Sequence, residues 1–322
     1  MEMIGTKPAA AAAPAVCAEA PPPAVTVVVP CYNGGQFLDG LMASLARQTF
    51  RDFEIVIVDD GSEDTETLRK LAALEDQVRV IREDNRGPSA ARNVGIAQAR
   101  TDIVFTLDCD DTVEPAYLAE TVALLRAAPP DVAAVITDLR MVGMGGRIAR
   151  RYFNRFDLLF TNTLSVGMVM RKRCWLAVGG YDESMREGYE DWEFSLRLAD
   201  AGYRALDVPR PLYCYRSGPD PAWASRSSEV DTKLLHAALW RAIRRKHAGN
   251  YHLPAMLRIW WQSRDGSGRI SLFKGLAACA LAGVLPDRWF SHLVVGLRTR
   301  SQANARSGMR LRLTKDGLNG AV

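Results

Sequence analysis

Two short apolar runs that each end in acids constrain this chain more than any other feature. EIVIV leads directly into Asp59-Asp60, and IVFTL leads into Asp108-Cys109-Asp110-Asp111. Both runs are unbroken and rich in β-branched residues, which suits strands buried on both faces of a parallel sheet rather than alternating, half-exposed ones. The carboxylates then emerge together at one sheet edge. In an open α/β sheet the carboxyl ends of the strands form the ligand crevice, so acids gathered there suit a cation or hydroxyl-bearing groups.

The surrounding pattern extends this reading. Strands are expected at 25–30, 53–59, 78–82, 103–107 and 132–137, and helical apolar spacing falls between them, at 36–47, from Ser62 to about residue 74, from Pro88 to about residue 100, and from Glu114-Pro115 to Pro129-Pro130. This alternation predicts an α/β fold with a doubly wound sheet and right-handed crossovers. Beyond residue 138 the pattern changes. A Gly- and Arg-rich excursion at 141–151 suggests a hairpin, 164–170 reads as a strand that makes the sheet mixed, and 190–201 reads as a helix ended by Gly202. Two short extended pieces follow at 203–208 and 212–215, then a linker-like stretch at 217–228 and a helical extension from Lys233.

Charge divides the chain in the same place. The net +4 hides an acidic part, with 25 Lys/Arg against 33 Asp/Glu in residues 1–230, and a basic part, with 16 against 4 in residues 231–322. The two parts are therefore expected to face different partners. The six cysteines show no C-x-x-C pair or regular spacing, which argues against a zinc site and a disulfide framework and fits a reducing cytoplasm. Residues 1–24 are Ala/Pro-rich without a basic start and continuous apolar core, so they read as a disordered leader rather than a signal peptide. No stretch reaches the roughly 18 apolar residues of a spanning helix.

Four groups of residues could carry chemistry, and each has an ordinary alternative. Tyr32 follows the first strand, where its ring could stack on a base while Asp60 accepts a base N–H, or it could be a core residue above an Asn33-Gly34 turn. Asp108 and Asp110, two apart in extended chain and so on one side, could share Mg²⁺ or Mn²⁺ with a diphosphate, with Asp111 turned alongside, or the acids could cap the helix near Glu114. Asn85 to Asn93 places Arg86, Arg92 and a helix start near the same edge, suited to an anionic nucleotide, although Arg92 could instead pair on the surface with Asp102 or Glu83. Glu190-Asp191-Trp192-Glu193 opens a helix, where a carboxylate could deprotonate a hydroxyl or simply answer the helix dipole. No histidine precedes His236, so acid/base work in the first 230 residues falls to carboxylates.

VTVVVPCYNGG, QTFRDFEIVIVDDGSEDT, NRGPSAARNVGI, the D-x-D signature in TLDCDDT, GGYDES and YEDWEFSLRL together resemble the family 2 glycosyltransferases of the GT-A fold, which include bacterial enzymes that build polysaccharides and glycolipids. The likeness covers residues 25–215. It implies a Rossmann-like mixed sheet flanked by helices, and a nucleotide-sugar donor, usually UDP-linked, bound by Pro30, Tyr32, Asp60 and Arg92, with Asp108 near the ribose. It further implies Asp110 as ligand of Mn²⁺ or Mg²⁺, with Asp111 beside it in the doubled signature, and Asp191 as catalytic base supported by Glu190 on the side of a saccharide or lipid-linked acceptor. The Q-x-x-R-W signature of processive polymerases is missing, since Trp260-Trp261-Gln262 runs in the wrong order, and single-sugar transfer is expected.

Division into a leader at 1–24, a catalytic domain at 25–216 and a basic helical extension at 217–322 follows. The competing readings are a nucleotidyltransferase, which would lack an obvious triphosphate loop, and a silent nucleotide-sugar-binding protein. No nucleic-acid partner is expected. In the extension, Leu272-Phe273, Leu276, Leu281, Leu285 and Trp289-Phe290 lie among cations and could rest on an anionic membrane, at its inner face, or pack on the catalytic domain.

Overall fold

The computed structural model describes residues 23–143, 145–164, 167–186, 188–216, 229–264, 267–282, 285 and 289. Residues 1–22 of the expected leader, the linker-like 217–228 and Phe290 lie outside these. In the first half, β1 (Val25–Cys31), β2 (Phe53–Asp60), β3 (Arg79–Glu83) and β4 (Ile103–Thr106) alternate with α1 (Gly35–Ala46), α2 (Thr65–Leu74) and α3 (Pro88–Gln98). All four strands run parallel, with Val28 opposite both Val56 and Thr106. Residues two apart share a face, so Val25, Val27 and Val29 join Leu38, Leu41 and Leu45 of α1 on one side. Val28 joins Ile96 of α3, Trp192 and Phe194 on the other. Close approach of α3 depends on Gly95, where a Cβ would run into the Val28 side chain.

The second half contains β5 (Thr112–Val113), α4 (Tyr117–Ala127), β6 (Val132–Val142), β7 (Arg147–Ala149), α5 (Arg155–Leu158), β8 (Val169–Arg171), α6 (Lys172–Ala177), α7 (Glu190–Asp200) and β9 (Arg204–Arg216). The sheet is mixed, in the order β3-β2-β1-β4-β8-β6-β9-β5, with β7 hairpinned onto β6. Helix α4 starts later than Glu114-Pro115 because Thr112 and Val113 pair with β9 and the Glu114 N–H donates to the Leu212 carbonyl, holding the chain extended. The two pieces expected at 203–208 and 212–215 are one strand parallel to β6. Its Pro209 and Pro211, which cannot donate to a ladder, fall where the register slips between Thr137 and Leu139. Helix α2 is capped by Asp64, which accepts the Thr67 N–H, and not by Ser62.

Helices α8 (Glu229–Lys246), α9 (Leu253–Gln262) and α10 (Leu272–Ala282) form the extension. They pack on the sheet layer: Ala237, Trp240, Ile243, Met256, Ile259 and Ala278 belong to the same buried cluster as Trp192 and Phe194. Trp240 Nε1 and Tyr251 OH both donate to the Leu159 carbonyl, at 3.2 and 2.7 Å, so the polar ends of two buried rings are satisfied by the end of α5. Between α7 and α8, His247 contacts both Glu193 and Asp200, and Lys246 reaches Asp182 and Glu193. Leu272, Leu276 and Leu285, which the sequence offered to a bilayer, pack against this core. No helix among the described residues is long and apolar enough to cross a membrane.

Candidate active site

Strands β1, β2 and β4 deliver their following loops to one edge of the sheet, and the first acid pair is already engaged there. Asp60 accepts the Arg86 N–H on Oδ1 (2.8 Å) and the Gly87 N–H on Oδ2 (2.9 Å), fastening the loop that opens α3. Asp59 Oδ1 accepts the Ser62 N–H (2.9 Å). Ser62 Oγ then accepts the Asn33 N–H (3.0 Å), and Asn33 Oδ1 accepts the N–H groups of Glu63 and Asp64. Asn33 sits at φ 48°, in the left-handed region that Asn tolerates better than most residues. The result is a tight double loop. Pro30 is buried near the end of β1 that leads into it, whereas Tyr32 is 48% exposed, so its ring stands at the mouth and not in the core.

The second cluster is a turn, not an extended pair: the Asp111 N–H donates to the Asp108 carbonyl (3.0 Å). Asp108 faces Arg92. The Arg92 guanidinium is buried, donating from Nη2 to Asp108 Oδ1 and from Nη1 to Glu190 Oε1, each at 2.7 Å, while lying over the Tyr181 ring. It pairs with neither Asp102 nor Glu83. These two carboxylates hold the guanidinium well above its ordinary pKa against the cost of burial. Asp111 points inward and accepts the Tyr213 OH (2.7 Å) and the Arg216 N–H (2.6 Å). Burial and the neighbouring Asp110 and Asp108 push its carboxyl well above the usual range, and the two hydrogen bonds only partly oppose this.

Through Arg92 the third acidic group joins the second. Glu190 and Asp191 open α7, whose preceding residue Tyr189 is left-handed at φ 66°, a strained conformation for a bulky side chain and one that tends to cluster at functional sites. Asp191 Oδ2 accepts Asn162 Nδ2 (2.8 Å), and its Oδ1 accepts the Trp192 N–H (2.7 Å). Burial, followed by the adjacent Glu190 charge, raises the Asp191 carboxyl to about 6, against the opposing pull of Arg92 and these donors. That is the value of a group poised to take a proton near neutrality. Glu193, by contrast, faces Arg197, Lys246 and His247 and is committed to the α7–α8 contact.

Asn162 and Asn93 join the candidate site, and no role for either could be read from the sequence. Asn93 Oδ1 accepts Trp175 Nε1 and the Tyr181 N–H, and its Nδ2 donates to the Tyr181 carbonyl, so it sets the loop that places Tyr181 under Arg92. Asn93 lay inside a recognisable run. Asn162 lay in no pattern at all.

The oxygen donors of the second cluster suit a hard divalent cation. Three carboxylates crowd one turn, and the charges of Asp110 and Asp108, which add to burial in raising the Asp111 carboxyl, are ones a cation would offset. Asp110, partly exposed in that turn, could hold it, with the buried Asp111 next in the chain. Among the described residues no group of three or more His, Cys, Asp or Glu could hold a metal ion unaided, so a diphosphate would have to complete the shell.

With this geometry in view, the likenesses to known proteins fall into place. The model of Glycosyl transferase family 2 matches residues 26–173, and that of Glycosyl transferase family group 2 matches residues 103–299. The chain belongs to the family 2 glycosyltransferases. It is 32% identical over 219 residues to the O-antigen biosynthesis protein RfbC of Myxococcus xanthus, covering 65% of this chain and 17% of that protein. It is 37% identical over 131 residues to the succinoglycan biosynthesis protein ExoO of Rhizobium meliloti, covering 40% and 37%. The chain thus spans well under two thirds of either relative. Among solved structures, a TarS fragment from S. aureus in complex with UDP-GlcNAc matches with a TM-score of 0.57 at 18% identity, covering 88% of this chain and 92% of that one. The mannosyltransferase PcManGT of Pyrobaculum calidifontis, in complex with GDP-Man and Mn²⁺, matches with a TM-score of 0.50 at 19% identity, each chain covered to 87%. Both share the GT-A fold with this chain.

Proposed function

We propose that this chain transfers a sugar from a nucleotide-sugar donor, UDP-linked in the first instance, to an acceptor hydroxyl with inversion at the anomeric carbon. The observation that carries this reading is the bridge in which Arg92 ties Asp108 to Glu190, bringing the donor-side turn within one side chain of the acid pair at the start of α7. Family membership supports transfer over the nucleotidyl alternative. The UDP-GlcNAc bound by TarS and the GDP-Man bound by PcManGT support a nucleotide-sugar, and the names of RfbC and ExoO support a saccharide acceptor in polysaccharide synthesis.

Donor binding falls to Tyr32, whose exposed ring offers a stacking face to the base, and to the loop fixed by Pro30 and Asp60. Asp191 takes the acceptor proton on a carboxylate oriented by Asn162 and the Trp192 N–H. The freed oxygen forms the new bond to the anomeric carbon from the side opposite the diphosphate, whose bond to that carbon breaks, and the nucleoside diphosphate departs with the electron pair. Burial, with the charge of Glu190 that Arg92 fixes beside it, keeps the Asp191 pKa high enough for the task. Mn²⁺ or Mg²⁺ held at Asp110, with Asp111 beside it, would neutralise charge gathering on the departing diphosphate.

The deciding experiment screens nucleotide-sugars with Mn²⁺ or Mg²⁺ and saccharide acceptors, reading nucleoside diphosphate release. Asp191→Asn should lower transfer by about a hundredfold or more while leaving donor binding intact. Equal turnover in variant and parent would remove Asp191 as the base, and donor binding without any release would favour a silent binding protein.

A further inference from the structure

We propose that the outer face of α9 and the start of α10 form a docking surface for an anionic lipid bilayer. Helix α9 turns Ala255, Met256 and Ile259 into the core, and on its free side Leu253, Leu257 and Trp261 follow at four-residue spacing, 53%, 42% and 62% exposed. Residues four apart lie one above the other on a helix, so these three form a continuous apolar ridge. Phe273, in the first turn of α10 and 81% exposed, adds a second aromatic group on a helix that packs against α9. Single exposed apolar residues are ordinary in soluble proteins, but a helical ridge of them is not.

The charges around the ridge select its partner. Between 253 and 282 the sequence carries four cations, Arg258, Arg264, Arg269 and Lys274, against one acid, Asp265. Arg258 adjoins Leu257 in sequence, Lys274 adjoins Phe273, and the Arg264 guanidinium lies 3.2 Å from the centre of the Trp261 ring. Leu, Trp and Phe bordered by Arg and Lys match a bilayer boundary, where apolar groups enter the acyl edge and cations meet anionic headgroups. A second copy of the chain would bring the same cations face to face, which like-charge repulsion opposes.

The ridge is fastened to the rest of the molecule. Asn154, which caps α5, donates to the Ser263 carbonyl (2.9 Å) and Ser267 Oγ (3.1 Å) at the end of α9, and the same segment runs on to Asn162 beside Asp191. A bilayer held by α9 would therefore hold the acid pair at a fixed place relative to its surface. The inference stands on surface chemistry alone and survives failure of the glycosyl-transfer reading.

Flotation of the full chain with phosphatidylglycerol/phosphatidylcholine vesicles, against phosphatidylcholine alone, tests it. Binding should require the anionic lipid and weaken with salt. It should fall about tenfold or more both in Leu257→Ser/Trp261→Ser/Phe273→Ser and in Arg258→Glu/Arg264→Glu/Lys274→Glu, with thermal unfolding unchanged because all six side chains are exposed. Absence of binding, equal binding to neutral vesicles, or undiminished binding by both variants would overturn the proposal. So would a dimer of the parent in solution that the apolar variant disperses, since the ridge would then be covered by a second copy.

Discussion

The two acid clusters at the sheet edge look alike in sequence and are held in opposite ways. Asp59 and Asp60 are answered chiefly by backbone N–H groups, from Ser62 three residues on and from Arg86 and Gly87, with the Arg82 side chain 4.0 Å from Asp59. Asp108 and Asp111 are answered chiefly by groups from elsewhere in the fold: the Arg92 side chain from α3, and the Tyr213 side chain and Arg216 N–H from β9. Backbone amides are numerous and fixed, so the first cluster becomes part of the loop framework. In the second, burial and then the neighbouring Asp110 and Asp108 raise the Asp111 carboxyl, a crowding of acids that a cation would relieve. Charge that shapes a loop and charge that awaits a ligand can thus be told apart by what answers them.

The largest effect expected from this contrast lies at Arg92. Arg92→Leu strips the buried partner from both Asp108 and Glu190, and breaking a buried ion pair from one side costs about 3–5 kcal/mol. Asp60→Asn, which turns one acceptor into a donor facing an N–H, should cost less, about 1–3 kcal/mol. Denaturant unfolding of the two variants checks the order, and a larger loss for Asp60→Asn would break the comparison.

Cation response comes next. Nucleoside diphosphate with Mn²⁺ at about a hundred times its Kd should stabilise the parent by about 2.7 kcal/mol, since only the folded chain binds it. Thermal unfolding should show this gain vanish in excess chelator and in Asp110→Asn, and persist in Glu114→Gln, just past the turn. A gain that survives in Asp110→Asn would show that the second cluster does not hold the cation.

How much of this could be read from the sequence follows from the same physics. The parallel half was legible because β1, β2 and β4 are compact apolar runs bounded by turn residues, and the acids that end β2 and precede β5 mark the edge directly. The mixed half was harder. Thr112 and Val113 form a strand only because β9 lies beside them, and two prolines made β9 look like two pieces. The acids and Arg92 are legible as candidates, but the Arg92 bridge spans 98 residues to Glu190, and no local spacing reports such a pair. Asn162 was missed for the same reason. The extension's apolar residues could be counted but not assigned to a face, since Leu276 packs inward while Phe273, three residues earlier, points out.

The acid pair on α7 gives a pH test of intermediate size. With its carboxyl raised to about 6, Asp191 stays protonated below that pH, and transfer should fall about tenfold per pH unit on the acid side. Asn162→Ala removes a donor that favours the charged form, so the acid limb should move to higher pH. Stability has the opposite sign: the Asp191 contribution is present below its unfolded value near 3.8 and is lost as pH rises through about 6. Glu193, pulled down to about 2 against its own burial by hydrogen bonds from His247, Arg197 and Lys246, contributes above 4.5 and loses that contribution as pH falls toward 2. An unmoved acid limb in Asn162→Ala would detach Asn162 from the base.

The smallest effect belongs to the first cluster. Ser62 joins its two loops, since its N–H donates to Asp59 and its Oγ accepts the Asn33 N–H, next to the exposed Tyr32. Ser62→Ala keeps the backbone bond to Asp59 and loses only the Oγ contact. That contact is partly buried, so water can replace some of it and the stability cost should be about 0.5–1.5 kcal/mol. Because the lost bond steadies the loop that presents a stacking ring, the change should appear as weaker donor binding, a raised KM with kcat unaltered. Steady-state kinetics with the donor varied resolves this. A fall in kcat at constant KM would place the Tyr32 loop in the chemical step instead, and the first cluster would then no longer be framework alone.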